Sequence, residues 1–167
     1  FAAILQDGTV QAWGWANGGG AIPDALADVL YNTQQKNPDV EGGFDTIADI
    51  TASHSAFAAR TTAGKVYAWG DAEAGGDASQ VATQLESCVV TSIAATHYAF
   101  AAVCEDGQVV PWGDPVSGGD FAQMNTKLGG ATATKVVGNN QAFAAITDGG
   151  FAVAWGMADY GGDASDV

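Results

Sequence analysis

Apolar and polar positions along the chain fall into short runs that recur in a fixed order. The stretch FAAVCEDGQVVPWG, Phe100 to Gly113, is an apolar run, a glycine-containing turn and a second apolar run closed by Trp-Gly. Variants stand at Phe1 (FAAILQDGTVQAWG), Phe57 (FAARTTAGKVYAWG) and Phe143 (FAAITDGGFAVAWG). Two short apolar runs about a glycine turn predict a β-hairpin. A two-residue turn at Asp106-Gly107 sets Ala101 opposite Trp112 and Phe100 opposite Gly113, because turn length fixes register. Turns are likewise expected at residues 7–8, 63–64 and near 148–150. This register sends each Phe and its Trp to opposite faces, so both faces of every hairpin read as apolar. Sheets buried on both sides suit stacked repeats better than a half-solvated sandwich. Phe1, Trp13, Phe57, Trp69, Phe100, Trp112, Phe143 and Trp155 are therefore expected in the core.

The Phe positions are spaced by 56, 43 and 43 residues, and the Trp positions by the same intervals. A Gly-Gly pair follows in every copy, at 19–20, 75–76, 118–119 and 161–162. A period near 43 residues is the mark of a repeat architecture. After Gly-Gly, Asp77 and Asp120 look like N-caps of short helices, and a longer helix is expected around Ala25 to Tyr31. Apolar runs at Ile47–Ala52, Val89–Ala95 and Thr134–Gly138 then lead through tight turns to the next Phe. The unit reads as three strands and a short helix, with a fourth strand conceivable near Gly-Gly. The extra 13 residues of the first repeat fall in a polar stretch at roughly 31–43. The expected fold is mainly β: tandem hairpin repeats of about 43 residues in a propeller-like array, complete or partial, with short helices between blades. An open β-solenoid is the alternative. Residues 1–167 read as one repeat domain that starts and stops in mid-repeat, as a piece of a longer protein does.

The run Ala94 to Ala102, followed by Asp106-Gly107 and Trp112-Gly113, resembles the regulator-of-chromosome-condensation repeat, a β-propeller family with a similar His, Asp-Gly and Trp-Gly framework. His54 matches His97, and Asn140 takes that place later; the Gly-Gly-Asp step departs from the family's Gly-Gln-Leu-Gly element. The chain is also similar to tandem Ala-Phe-Ala-Ala, Asp-Gly, Trp-Gly-Asp, Gly-Gly-Asp repeats of dinoflagellate algal proteins. The family's best-known member is an exchange factor for a small GTPase, and others are interaction scaffolds. The resemblance implies a scaffold and carries no exchange-factor residue onto this sequence.

Composition narrows the picture. With 19 acidic and 5 basic residues the net charge is −14. Nucleic acid wants clustered Lys and Arg, so it is not an expected partner, and neither is an anionic membrane surface. No apolar run has the length of a membrane span. The acidic surplus reads as solubility or as complementarity to a partner.

Candidate chemistry is sparse. His54 and His97 share one turn of the repeat, which favours a structural role there over a ligand or base. Asp71, Asp77, Asp114 and Asp120 lie near glycine turns but match no calcium-cage spacing. The Gly-Gly pairs lack the Lys-Ser/Thr of a phosphate loop, and no nucleophile elbow appears. No catalytic, cofactor or metal residue is assigned, and the chain reads as non-enzymatic. Cys88 and Cys104 come opposite, or one step off, if the strands around a Thr96-His97 turn pair. They are either a disulfide or two small buried thiols. A bridge would indicate a thylakoid or other oxidising lumen, and free thiols the cytoplasm.

Function is expected where the copies differ. Trp15 replaces the Asp71 and Asp114 type beside the insertion, and Tyr31, Phe44, Phe121 and Tyr160 extend the set of interface candidates. Three readings follow: a protein-interaction scaffold, in its narrowest form an auxiliary lumenal subunit of an algal photosynthetic complex; a regulator or exchange factor of a small GTPase; and a carbohydrate- or ligand-binding propeller.

Overall fold

The computed structural model describes residues 1–30 and 45–164. The insertion at 31–43 and the candidates Tyr31 and Phe44 lie outside the described residues. Four antiparallel sheets follow one another along the chain. The first has β1 (Ala2–Ile4) and β2 (Val10–Ala12). The second has β3 (Ile47–Ala52), β4 (Ala56–Thr61) and β5 (Val66–Gly70). The third has β6 (Val90–Ala95), β7 (Ala99–Cys104) and β8 (Val109–Gly113). The fourth has β9 (Ala133–Gly138), β10 (Ala142–Thr147) and β11 (Ala152–Gly156). The middle strand of each three-stranded sheet pairs with both neighbours. Helices α1 (Asp24–Leu30), α2 (Ala82–Glu86) and α3 (Phe121–Leu128) fill the connections. The segment before Gly-Gly is a short helical turn rather than a fourth strand: Gly75 N–H donates to Ala72 O and Gly76 N–H to Asp71 O, which coils the chain instead of extending it.

The hairpin register differs by one residue from the sequence expectation. Phe100 stands opposite Trp112 and Ala99 opposite Gly113, and the second and fourth sheets pair Phe57 with Trp69 and Phe143 with Trp155. The cause is turn length. Cys104 N–H donates to Gln108 O and Gly107 N–H to Cys104 O, leaving a three-residue loop with Gly107 at φ 81°. That is a type I turn closed by a left-handed glycine, in which Asp-Gly serves as well as in a two-residue turn. The turn before β7 is also displaced, to His97-Tyr98, since Thr96 N–H donates to Ala99 O.

The register puts both rings on one face. The Phe and Trp rings stack with centroids 5.4, 5.2 and 5.4 Å apart in the second, third and fourth sheets. The opposite face carries small side chains, and the stack alternates large against small. Phe100 and Trp112 pack on Ala56 and Ala58 of the second sheet, and Phe143 and Trp155 on Ala99 and Ala101 of the third. Leu85 of α2 joins the first of these seams, and Met124 and Leu128 of α3 the second. Each seam buries two aromatic rings, the largest apolar surfaces the chain owns.

Trp112 is 3 % exposed and Trp69, Phe100, Phe143 and Trp155 are fully buried, while Phe57 is half-buried. Phe1 and Trp13 are not core. They stack like the other pairs but are 79 % and 52 % exposed, because no sheet among the described residues lies against their outer face.

Candidate interaction surface

Polar atoms lock the seams together. Trp69, Trp112 and Trp155 donate their Nε1–H to the carbonyls of Gly19, Gly75 and Gly118, at 3.1, 2.9 and 3.0 Å. Each acceptor is the first glycine of the preceding repeat's Gly-Gly pair. That glycine has positive φ, and a Cβ on it would stand 2.5–2.6 Å from the Cδ2 of the next Phe. The position is therefore closed to other residues by conformation and by space at once. In the sequence these pairs mark only the period of the repeat. The fixed 37-residue step from Gly75 to Trp112, repeated from Gly118 to Trp155, was the signal that they are contact points.

A second device ties each repeat to itself. The residue four before each Phe is Ser53, Thr96 or Asn139. Ser53 Oγ accepts from Ala56 N–H and donates to Ala74 O; Thr96 Oγ1 accepts from Ala99 N–H and donates to Ser117 O. Asn139 Oδ1 accepts from Ala142 N–H while its Nδ2 donates to Tyr160 O at 2.7 Å. These residues hold the turn before the middle strand against the helical turn after the third strand. His54 and His97 contribute main-chain groups to a ladder between repeats, His54 N–H to His97 O and His97 N–H to Asn140 O, both 2.9 Å. Their exposed rings meet edge-on, 5.3 Å apart.

The turns after the third strands all lie at one end of the repeats, because Asp71 N–H, Asp114 N–H and Met157 N–H donate to Ser55 O, Tyr98 O and Gln141 O in the neighbouring turns. Asp71 caps its turn through Glu73 N–H, and Asp114 through Ser117 N–H. Trp15 and Met157 take the equivalent places without a side-chain cap. Asp120 starts α3 by accepting from Ala122 and Gln123 N–H. Asp77 accepts from Ser79 N–H at 2.8 Å, and this bond holds its carboxyl below the ordinary carboxylate value.

The expected interface residues that the structure describes sit at this end. Trp15 is 68 % exposed and lies over Gly18, whose Cβ would stand 2.8 Å from Trp15 Cε3. Phe121 opens α3 and Tyr160 ends the last helical turn, both exposed. The three belong to the first, third and fourth repeats and form no single cluster: Trp15 and Tyr160 stand on the helical turns after β2 and β11, and Phe121 at the start of α3. Beside Phe121 a groove of about 600 Å³ runs between repeats, bounded by Asp77, Gln80, Gln84 and Trp112.

At the opposite end the hairpin turns meet the start of the next sheet: Val90 N–H donates to Gly64 O and Ala133 N–H to Gly107 O. The Cys88–Cys104 disulfide lies here, with Cα atoms 5.8 Å apart. It ties the end of β7 to the segment after α2, beside a groove of about 530 Å³ lined in part by Lys65, Tyr67 and Leu85. Burial, and then the nearby Asp45 charge, raise the Tyr67 phenol above its ordinary value.

No family model matches the chain, and no curated protein matches it. Solved structures do. Human WBSCR16 aligns with TM-score 0.60 at 14 % identity, covering 89 % of this chain and 42 % of that one. Prp20p of Saccharomyces cerevisiae aligns with TM-score 0.61 at 15 % identity, covering 93 % and 42 %. The same yeast RCC1 protein bound to Kap60 aligns with TM-score 0.55 at 14 % identity, covering 93 % and 41 %. The chain spans about two-fifths of the length of these structures. At such identities the likeness is one of fold. The architecture is mainly β and propeller-like, similar to RCC1-like β-propellers.

Proposed function

We propose that this chain is a non-enzymatic protein-interaction module whose partner docks on the end of the repeats that carries Trp15, Phe121 and Tyr160. One observation carries the reading. The residues common to the repeats are spent on seams and turns, while Trp15, Phe121 and Tyr160, each peculiar to a single copy, are exposed on or next to the turns that follow β2, β8 and β11. Exposed aromatics are the side chains that most often anchor protein partners. The carboxylates of Asp71, Glu73, Asp114 and Asp159 share that end and favour a partner with a basic surface. Affinity capture from the native source, with the parent chain and the variants Trp15→Ser and Phe121→Ser, tests this. Each variant should lose the same protein while keeping the parent's melting temperature. Unchanged capture by both would move the partner surface elsewhere.

A second reading is regulation of a small GTPase. It draws support from the fold likeness to Prp20p, a protein described with binding properties to Gsp1p and histones. Acceleration of nucleotide release from a small GTPase by the chain would establish it over the first. A narrower form of the first reading, an auxiliary lumenal subunit of an algal photosynthetic complex, draws on the resemblance to dinoflagellate repeats and on the disulfide. Co-migration with that complex on a native gel would support it, and migration elsewhere would remove it.

A further inference from the structure

The seam between the third and fourth repeats is closed at a point where the seam before it is open. Gln123, in the first turn of α3, accepts the main-chain N–H of Gly156 through Oε1 at 2.9 Å. The equivalent residues one repeat earlier are Gln80 and Gly113, the same 33 residues apart. There the Gly113 N–H faces away from β7, since the bonded pairs of that ladder run through Tyr98–Asp114 and Cys104–Gln108. Among the described residues no side chain accepts it. The difference lies in how the helices start. Asp120 caps α3 directly, whereas Ser79–Val81 form a short helical turn and α2 begins only at Ala82. Gln80 is accordingly exposed and Gln123 half-buried. Where Gln123 closes one seam, the groove of about 600 Å³ lies in the other, lined by both Gln80 and Gly113. Its walls come from residues 72–122 of the second and third repeats, and none from the first or last sheet.

We propose that this groove binds an extended segment of the partner protein, with a peptide carbonyl on the Gly113 N–H and an Arg or Lys side chain against Asp77 and Asp120. The inference deepens the reading of the Trp15, Phe121 and Tyr160 end as a partner surface, and rests on it.

Each part of the groove matches a part of such a segment. A peptide carbonyl gives Gly113 the acceptor that Gln123 gives Gly156. The amides of Gln80 and Gln84 both donate and accept, as the free main-chain groups of an extended segment do. Asp77 and Asp120, one from each repeat, hold their Oδ1 atoms on the N–H groups of Ser79 and of Ala122 and Gln123. Their positions are thus set before anything binds, which lowers the cost of ordering the site. No Lys or Arg lines the groove, so charge complementarity selects a cation. The Phe121 ring, 39 % exposed on the wall, offers apolar surface to the methylene stem of that cation. A sugar would meet the same amides and the same ring but leave both carboxylates without a counter-charge.

Amide NMR of the 15N-labelled chain tests the proposal, with the capped pentapeptide acetyl-Ala-Ala-Arg-Ala-Ala-amide as probe. The Gly113 amide and the side-chain amides of Gln80 and Gln84 should shift and saturate below about 10 mM peptide. The Gly156 amide, already bonded to Gln123, should stay still. The same peptide with citrulline in place of arginine keeps the hydrogen bonds and loses the charge, so it should bind about tenfold more weakly. The double variant Asp77→Asn, Asp120→Asn keeps side-chain acceptors for the main-chain N–H groups and removes both charges. It should bind the arginine peptide no better than the parent binds the citrulline one. An unmoved Gly113 amide, equal affinity for the two peptides, or a Gly156 shift as large as that of Gly113 would overturn the proposal. So would saturation of the same amides by cellohexaose but not by the arginine peptide, which would give the groove to carbohydrate. The citrulline comparison uses the parent alone and stands even where the double variant fails to fold. Capture lost in Trp15→Ser together with an unmoved Gly113 amide would keep the partner surface and remove only the groove from it.

Discussion

The third repeat and its flanking copies share one framework and meet different fates. In the third, every residue of β7 is buried, since sheets lie against both faces. In the first, the same Phe–Trp pair stands in solvent, and in the fourth the alanine face does. The capping carboxylate of the turn is also present in the second and third repeats and absent from the first and fourth. The difference teaches that a framework residue here has no fixed energetic worth. Its value comes from the neighbouring repeat, as nearest-neighbour models of repeat proteins require.

The sharpest way to break this comparison is to truncate one residue type in two places. Trp112→Ala should destabilise by about 3–5 kcal/mol, combining loss of a buried ring with an orphaned Gly75 carbonyl. Trp13→Ala, at an exposed ring, should cost under about 1 kcal/mol when measured on the monomer. Urea unfolding of the two variants decides the matter, and equal losses would refute the neighbour-dependent account.

Next in size is the disulfide, which among the four repeats belongs to the third alone: its equivalents are Asp45 and Thr61, and Ala131 and Thr147. The bridge closes a loop with a sequence separation of 16, for which chain entropy predicts about 3 kcal/mol. The Cys88→Ala, Cys104→Ala double variant should lose about that much in thermal unfolding, and added reductant should destabilise the parent but not the variant. A parent indifferent to reductant would show that the third repeat owes its stability to packing alone.

Gly75→Ala and Gly161→Ala refine the comparison further. Both glycines have φ 89°, so the backbone strain of substitution is shared. Only the Cβ at Gly75 meets a ring, so Gly75→Ala should be worse by about 1–3 kcal/mol, the usual cost of overpacking. Matching melting temperatures would mean that the Phe100 ring yields freely.

The smallest effect concerns Asp77. Its bond from Ser79 N–H is worth about 1 kcal/mol, and the same bond holds its carboxyl below the ordinary value. A lowered folded-state pKa stabilises above the unfolded value and loses that stabilisation as pH falls through the folded value. The stability gap between the parent and Asp77→Ala should therefore be full near neutrality and close in acid, below about 3.9. A gap that widens in acid would assign the effect to something other than the carboxylate.

Much of the architecture was legible in the spacing of Phe, Trp and Gly, because a repeat states its own period. The helix start at Asp120 was legible too, since an N-cap is a local bond; Asp77 only accepts from Ser79 N–H, and the N-caps that follow it are Ala78 and Val81. The hairpin register was not. Asp106-Gly107 suits a two-residue and a three-residue loop alike, and the choice moves every side chain to the other face. Nor could the sequence distinguish Phe1 from Phe100, which head nearly identical hairpins; burial there depends on a neighbouring sheet. At the candidate surface, the exposure of Trp15, Phe121 and Tyr160 followed from their departure from the repeat. Their separation onto three repeats did not, for it depends on how the sheets stack.

The indole-to-glycine bond has a consequence for how such a chain can change in length. In two seams it closes a loop of 37 residues and in one a loop of 50, yet the distances agree within 0.2 Å. Closing the longer loop costs only about 0.3 kcal/mol more in chain entropy. The segment between a Gly-Gly pair and the next hairpin can thus gain residues almost freely, provided that both anchor points stay in place. Growth in length and fidelity of stacking are thereby uncoupled: residues are added without renegotiating any seam.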